Sequence, residues 1–366
     1  MNVTLVHDWL NQMGGAEDVL LELAAMYPEN PIYTSIYDPA QLPAAFDALD
    51  IRPLWMDRLP SVHRKHQRYL PLYPLAWGGF EPPPTDIVLT NKSGFCHGLR
   101  KPSGAVHVCY CLAPTRYVWQ FDAYIQREGL GRATSAALRP LISMLRHWDY
   151  AAAQRVDHFV AISTEVQERI RAYYNRESKI IYPPVDTTRF SAARTDIIGD
   201  YYLIVSRLIP YKRIDLAVAA CTKLGVNLKI GGRGRDLDRL KALAGPTVEF
   251  LGYVPDDDLP DLMARAKAFI FPGFEDFGIT PVQAQAAGRP VIAYASGGAL
   301  DTVVPGLSGV LFEEQTVDSL ADALSAFDAT AYDPAAMQAH ARTFDRAVFR
   351  EELAAFVASA WRARDG

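Results

Sequence analysis

The run Phe271-Pro272-Gly273-Phe274-Glu275-Asp276-Phe277-Gly278-Ile279-Thr280-Pro281 sets an acidic pair between an apolar stretch and a helical pattern that ends before Gly288. With Pro281 at the first helical position, the amides of Gly278, Ile279 and Thr280 fall at a helix N-terminus, where they can hold a diphosphate or a developing oxyanion. A second segment, Ser206-Arg207-Leu208-Ile209-Pro210-Tyr211-Lys212-Arg213, puts cations into a strand-to-helix turn. Arg grips phosphate oxygens in a fork and Lys adds a point charge, so Arg207 and Lys212 can neutralise a departing diphosphate. A third turn, Gly231-Gly232-Arg233-Gly234, lets backbone approach a ligand closely but lacks the GxGxxG spacing of a dinucleotide fold. Each segment also has a plainer reading, as solvated loop acids, an exposed basic turn and a tight turn.

These turns need elements to carry them. Short apolar runs at 3–6, 86–90, 105–111 and 158–162 read as buried strands, and the run from Lys179 is a strand ended by Pro183 and Pro184. A second alternation follows, with strands at 201–206, 228–231, 248–251, 268–271 and 290–293 and helices at 215–224, 237–244, 259–266 and 281–287. Continuous apolar strands alternating with helices imply parallel sheets covered on both faces. The expected fold class is therefore α/β, with two Rossmann-like doubly wound domains facing across a cleft. Their expected bounds are 1–186 for the first and 187–345 for the second. A final helix at 346–366 should pack back toward the first, with Phe349, Leu353, Phe356, Val357 and Trp361 at helical spacing.

Composition removes several classes. Of 366 residues 49% are hydrophobic and 22% charged, the balance of an ordinary globular protein. Net charge is −5, which leaves no overall positive field to gather nucleic acid. Cys96, Cys109, Cys111 and Cys221 lack the paired spacings of a zinc site or a secreted disulfide framework, so a reducing cytosol is the expected compartment. No segment approaches the roughly 20 apolar residues of a spanning helix, so membrane contact is expected to be peripheral, on the inner face.

Taken together, the segments resemble the nucleotide-sugar lobe of a GT-B retaining glycosyltransferase of family 4, in its mannosyltransferase-like subgroup. The resemblance also covers the Ile181-Tyr182-Pro183-Pro184-Val185-Asp186 segment, Val248–Gly252 with Tyr253 and Val254, Ser296-Gly297-Gly298, and the run from Gly306 to Phe312. It implies that Arg207 and Lys212 bind the donor diphosphate and that Glu275 contacts the transferred sugar. The amides of Phe277, Gly278, Ile279 and Thr280 would hold sugar hydroxyls and phosphate, together with the turn at Gly232 and Arg233, while Tyr253 and Val254 read the base. In the family a second acid eight positions after the first bonds the ribose, and here that position is Gln283, a neutral acceptor. Gly14 and Gly15 match the family's glycine turn beside the diphosphate. Leu112 stands where related mannosyltransferases carry a histidine, which leaves His7, Arg116, Tyr117 and Trp119 as candidate acceptor contacts. His97 reads as a packed or hydrogen-bonded histidine.

The implied activity is transfer of a hexose from a nucleotide diphosphate sugar, GDP-mannose before a UDP-sugar, to a glycan or lipid-linked acceptor. No metal and no cofactor are implied, since the basic turn and helix termini can supply the charge. The alternative is a nucleotide-sugar-binding subunit that supports a partner enzyme. Asp236-Leu237-Asp238 and Asp256-Asp257-Asp258 look like metal-binding acids but read as helix starts. Residues 52–80 mix Arg58, Arg64, Lys65 and Arg68 with Trp55, Leu75, Tyr73 and Trp77, a composition suited to an anionic headgroup layer or to a loop packed by its own aromatics.

Overall fold

The apolar runs form two parallel sheets. The computed structural model describes residues 1–122, 132–193 and 195–365. It divides into one unit of residues 1–184 with 349–366 and another of residues 185–348.

In the first unit β1 (Val3–His7), β2 (Ile32–Thr34), β3 (Ile51–Pro53), β4 (Ile87–Lys92), β5 (Val106–Cys111), β6 (His158–Ala161) and β7 (Ser178–Ile180) run in the order β3-β2-β1-β4-β5-β6-β7. In the second, β8 (Tyr202–Val205), β9 (Leu228–Gly231), β10 (Val248–Gly252), β11 (Ala268–Phe271), β12 (Val291–Tyr294) and β13 (Gly309–Phe312) run β10-β9-β8-β11-β12-β13. The pairings are parallel, with His7 beside Asn91 in the first sheet and Phe269 beside Leu203 in the second. Each unit is thus Rossmann-like: its first strand is central, the chain winds outward on one side and crosses back to wind outward on the other. The reversal falls between β1 and β4 in one sheet and between β8 and β11 in the other. Loops leaving those two strands diverge and open a crevice, where ligands bind in such sheets.

Helix α1 (Gly15–Met26) packs Val19, Leu20 and Leu23 inward. Helix α2 (Ile214–Leu224) buries Ile214, Ala217, Val218 and Cys221 against the second sheet and stops at Gly225, whose φ of 66° suits a residue without Cβ. Helix α3 (Ile279–Ala286) begins two residues earlier than the proline rule predicts. Gly278, at φ 91°, caps it, so Pro281 sits third, still within the first turn where its missing N–H costs nothing. The last helix, α4 (Arg346–Arg362), buries Phe349, Leu353 and Val357. Phe349 meets the Tyr110 ring edge-on at 5.5 Å, and Arg350 Nε donates to Glu22 at 2.7 Å, all within the first unit.

Three strands escaped the periodicity reading: β2, β3 and β13. The first two have three residues each, and the edge strand β3 ends in a proline. Such strands owe their form to neighbours and not to a pattern of their own. The strand from Lys179 was expected to run to the prolines, but β7 ends at Ile180. Residues 52–80 form short helical turns around the core, and Tyr73 and Trp77 are fully buried with Met56, Val62 and Phe95. That corrects the idea of these two rings as a surface feature; Trp55 and Leu75, 48% and 65% exposed, are the outward apolar groups.

His107 lies inside the first sheet with Nε2 3.1 Å from Thr90 Oγ1, and burial pushes its pKa down to about 3. The folded state therefore holds it neutral, whereas the unfolded chain takes up a proton below about pH 6.5. Its contribution to stability is complete above that pH and is lost as pH falls toward 3, with a slope of about 1.4 kcal/mol per pH unit. Urea unfolding between about pH 6 and pH 4.5 should show His107→Gln with a shallower slope than wild type by about one proton. Equal slopes would mean that His107 is charged in the fold.

Candidate functional site

The crevice of the second sheet is built by the loops that follow β8 and β11. Pro210–Lys212 forms a 3-10 turn after β8, and the chain enters α2 through Arg213, held at φ 50°. A left-handed non-glycine residue is strained by roughly 1 kcal/mol or more and persists where surrounding contacts fix it. The strain turns the chain sharply after Lys212, whose ammonium makes an ion pair with the Glu275 carboxylate from the loop after β11. Ser206, Lys212, Gly273, Glu275 and Thr280 line one small cavity.

Close approach explains the glycines. A Cβ on Gly273 would stand 2.7 Å from the Lys212 carbonyl oxygen, so the two loops meet backbone to backbone. Gly297, at φ 61°, lies under the Glu275 carbonyl, and Gly298 N–H donates to that oxygen at 2.9 Å. On the opposite flank, Gly232 has φ 130° and a Cβ there would sit 1.8 Å from the Ser206 carbonyl oxygen. The backbone around Glu275 is therefore held by the loops after β8 and β12, which is what a carboxylate needs if it must stay in place while charge moves nearby.

Of the residues singled out from sequence, the structure brings together Lys212, Glu275 and Thr280, which line that cavity. Arg207 is exposed, with Nη2 3.2 Å from the Tyr211 hydroxyl. Gln283 lies half-buried one turn along α3 from Ile279 and Thr280. Arg233 stacks its guanidinium 5.5 Å from the centre of the Tyr253 ring, which is 60% exposed, and Val254 meets Gly231 behind them. Phe277 and Gly278, which lead into α3, are buried, and Phe277 packs 5.8 Å from the Phe344 ring. Gly273 and Arg213 went unassigned in sequence, although a glycine facing a basic turn and an arginine after the lysine were both visible.

In the first unit Gly14 caps α1 and Gly15 opens it; a Cβ on Gly14 would come 3.3 Å from the Glu17 carboxylate. His7 is buried, with Nε2 3.7 Å from Glu17 Oε1, so it faces α1 and not solvent. Trp119 gives its indole N–H to Asp149 at 2.7 Å and stacks on Tyr173 at 4.8 Å, so its hydrogen-bonding edge is already used. Arg116 is exposed, and Tyr117 packs 6.3 Å from Trp9. His97 is buried, with Nε2 3.3 Å from the Asp149 carbonyl, and burial drives its pKa well below the ordinary value. Asp236 binds Arg239 through two bonds of 2.7 and 2.8 Å at the start of helix Leu237–Leu243, and Asp258 caps the helix Leu259–Ala264.

Residues 198–342 match the model for glycosyl transferases group 1, and residues 13–189 match the model for glycosyltransferase family 4. The chain belongs to glycosyltransferase family 4. Among curated relatives, this family 4 chain is 34% identical over 194 residues to a GDP-mannose-dependent alpha-(1-6)-phosphatidylinositol monomannoside mannosyltransferase of Mycobacterium tuberculosis, covering 45% of this chain and 50% of that one. It is 30% identical over 225 residues to a glycogen synthase of the same species, covering 57% and 53%. The chain thus spans about half the length of the curated relatives it matches. Its fold is GT-B, that of the Anabaena protein HepE in complex with UDP, at TM-score 0.71, 18% identity and coverage of 98% and 100%. The sucrose-phosphate synthase of Thermosynechococcus elongatus has the same TM-score of 0.71, 18% identity and the same coverage of 98% and 100%.

Proposed function

We propose that this family 4 chain transfers a hexose from a nucleotide diphosphate sugar, GDP-mannose before a UDP-sugar, to a glycan or lipid-linked acceptor with retention of anomeric configuration. The observation that carries it is Lys212 held against Glu275 at the switch point of the second sheet, with Arg207 on the same loop. A cation facing a carboxylate suits a donor whose diphosphate needs positive charge and whose sugar needs a hydroxyl acceptor. In this reading the arriving donor draws Lys212 Nζ from the carboxylate to a diphosphate oxygen, which frees Glu275 for the sugar before the glycosidic bond breaks. The acceptor hydroxyl attacks from the face the diphosphate leaves, and a phosphate oxygen takes its proton. Arg207 and Lys212 supply the charge on the leaving group, so the reaction is assigned no metal ion and no cofactor. Support comes from the relatives that use GDP-mannose and from the family itself.

A thermal-shift series with GDP-mannose, UDP-glucose and ADP-glucose tests the donor. A ligand at about 100 times its dissociation constant adds about 2.7 kcal/mol of stability, and GDP-mannose is expected to give the largest shift. No shift with any of the three would overturn the assignment.

The same reading includes peripheral contact with an anionic membrane through residues 52–80. Arg58, Arg64, Lys65 and Arg68 are exposed there, flanked by outward Trp55 and Leu75. No described helix is long and apolar enough to cross a membrane. Trp55→Ser with Leu75→Ser should reduce co-sedimentation with phosphatidylserine vesicles several-fold, since each change removes an apolar side chain whose burial in the headgroup layer is worth on the order of 1 kcal/mol or more. Unchanged binding by the double variant would remove the proposal.

A further inference from the structure

Gln315 lies outside every motif of the sequence, in the loop after β13, yet its half-buried side chain joins the two loops of the site. Its Oε1 accepts from Arg213 Nη1 at 3.0 Å, and its Nε2 donates to the Pro272 carbonyl oxygen at 3.0 Å. A guanidinium only donates and a carbonyl only accepts, so these two partners fix which end of the amide is oxygen. Arg213 directly follows Lys212, and Pro272 directly precedes Gly273, whose missing Cβ lets the Lys212 carbonyl approach. The clasp therefore grips both loops one residue beyond their point of contact. It also holds the arginine whose left-handed backbone turns the chain after Lys212, assisted by the Arg213 Nε bond to Asp215 at 3.3 Å.

We infer that Gln315 is a positioning residue for the diphosphate site: its amide locks the loop of Lys212 to the loop of Glu275, so that the cation is in place before donor arrives. The inference rests on the nucleotide-sugar reading for its purpose but not for its geometry. A loop fixed in advance leaves only the Lys212 side chain to turn from Glu275 to phosphate when donor binds, and loosening a supporting contact lowers affinity without removing any group that touches ligand. Glutamate cannot replace the amide, because a carboxylate would accept from Arg213 but face the Pro272 carbonyl with no proton to give.

The test uses Gln315→Met and Gln315→Glu in the whole chain, with two readouts. In the first, without ligand, reductive methylation of each lysine is followed by mass spectrometry. Lys212 should react about five- to tenfold faster in both variants, with Lys241 and Lys65 unchanged as exposed references. An unchanged Lys212 rate in folded variants would overturn the clasp. In the second, GDP and UDP binding is measured by calorimetry. Wild type should bind at least one, and both variants should bind it about tenfold more weakly at an unchanged melting temperature. Equal affinity in wild type and variants would overturn the positioning role. Failure of wild type to bind either nucleotide would refute the nucleotide reading and with it the role, whereas the clasp itself stands or falls on the methylation rate.

Discussion

Lys212→Met is expected to lower turnover at saturating donor by about 100- to 1000-fold, the loss found when one preorganised charge-stabilising donor is taken from a reaction centre. Methionine keeps the length and most of the volume of lysine, so the change is chiefly the removed charge. In the resting site that charge is balanced by Glu275, and the Lys212 and Glu275 side chains are 12% and 25% exposed. Stability should change little, because the stranded carboxylate keeps access to water. The effect should fall on kcat more than on KM, since charge accumulates on the diphosphate as the glycosidic bond breaks and the ammonium is then worth most. Arg207, exposed and bonded to the Tyr211 hydroxyl, should give a smaller kcat loss and a larger KM change. Initial rates with the donor identified by thermal shift, following released nucleotide diphosphate, decide the matter. Wild-type turnover by Lys212→Met would refute the role assigned to this cation.

Lys92→Met should destabilise the first unit by about 3–5 kcal/mol, the range for removing one partner of a buried charge pair. Lys92 and Asp149 are both fully buried. Lys92 Nζ donates to the Ala113 carbonyl at 3.1 Å and to Thr115 Oγ1 at 3.2 Å, and that hydroxyl donates to Asp149 at 2.7 Å. Asp149 also accepts from Trp119 Nε1 and from the Tyr174 hydroxyl, each at 2.7 Å. Burial raises the Asp149 pKa above the ordinary carboxylate value, while Lys92 and these donors pull it the other way. Without the ammonium, the carboxylate keeps its burial but loses its main counter-charge. Asp149→Asn combined with Lys92→Met should therefore recover part of the loss, giving a coupling energy on the order of 1 kcal/mol or more in a double-mutant cycle. Urea unfolding of the single and double variants measures it, and a cost under about 1 kcal/mol for Lys92→Met would show that the buried charge is not compensated in this way. The network fixes the segment from Ala113 to Trp119, on which Arg116 and Tyr117 are carried.

Much of this was legible beforehand for a physical reason. Strands buried on both faces are mostly apolar, so β8 and β11 appear as unbroken apolar runs, and β4 and β5 as apolar runs interrupted by Thr90, Asn91, Lys92 and His107. Phosphate chemistry is legible in the same way, because it needs Arg, Lys and free amides in turns that follow strands. The three-residue strands β2 and β3 and the packing of residues 52–80 were not legible, since an irregular segment has no period to tell an inward Trp77 from an outward Trp55.

The amino-acid order by itself determined that the chain would make two rounds of strand and helix, and that the later round would carry cations and an acid in its turns. Only the tertiary structure decided that the turn after β8 meets the turn after β11, because strand order is settled by how whole sheets bury their faces. The same holds for Gln315, Lys92 and Asp149. Their partners lie on other elements, so the work they do is a property of packing that no local run of residues contains.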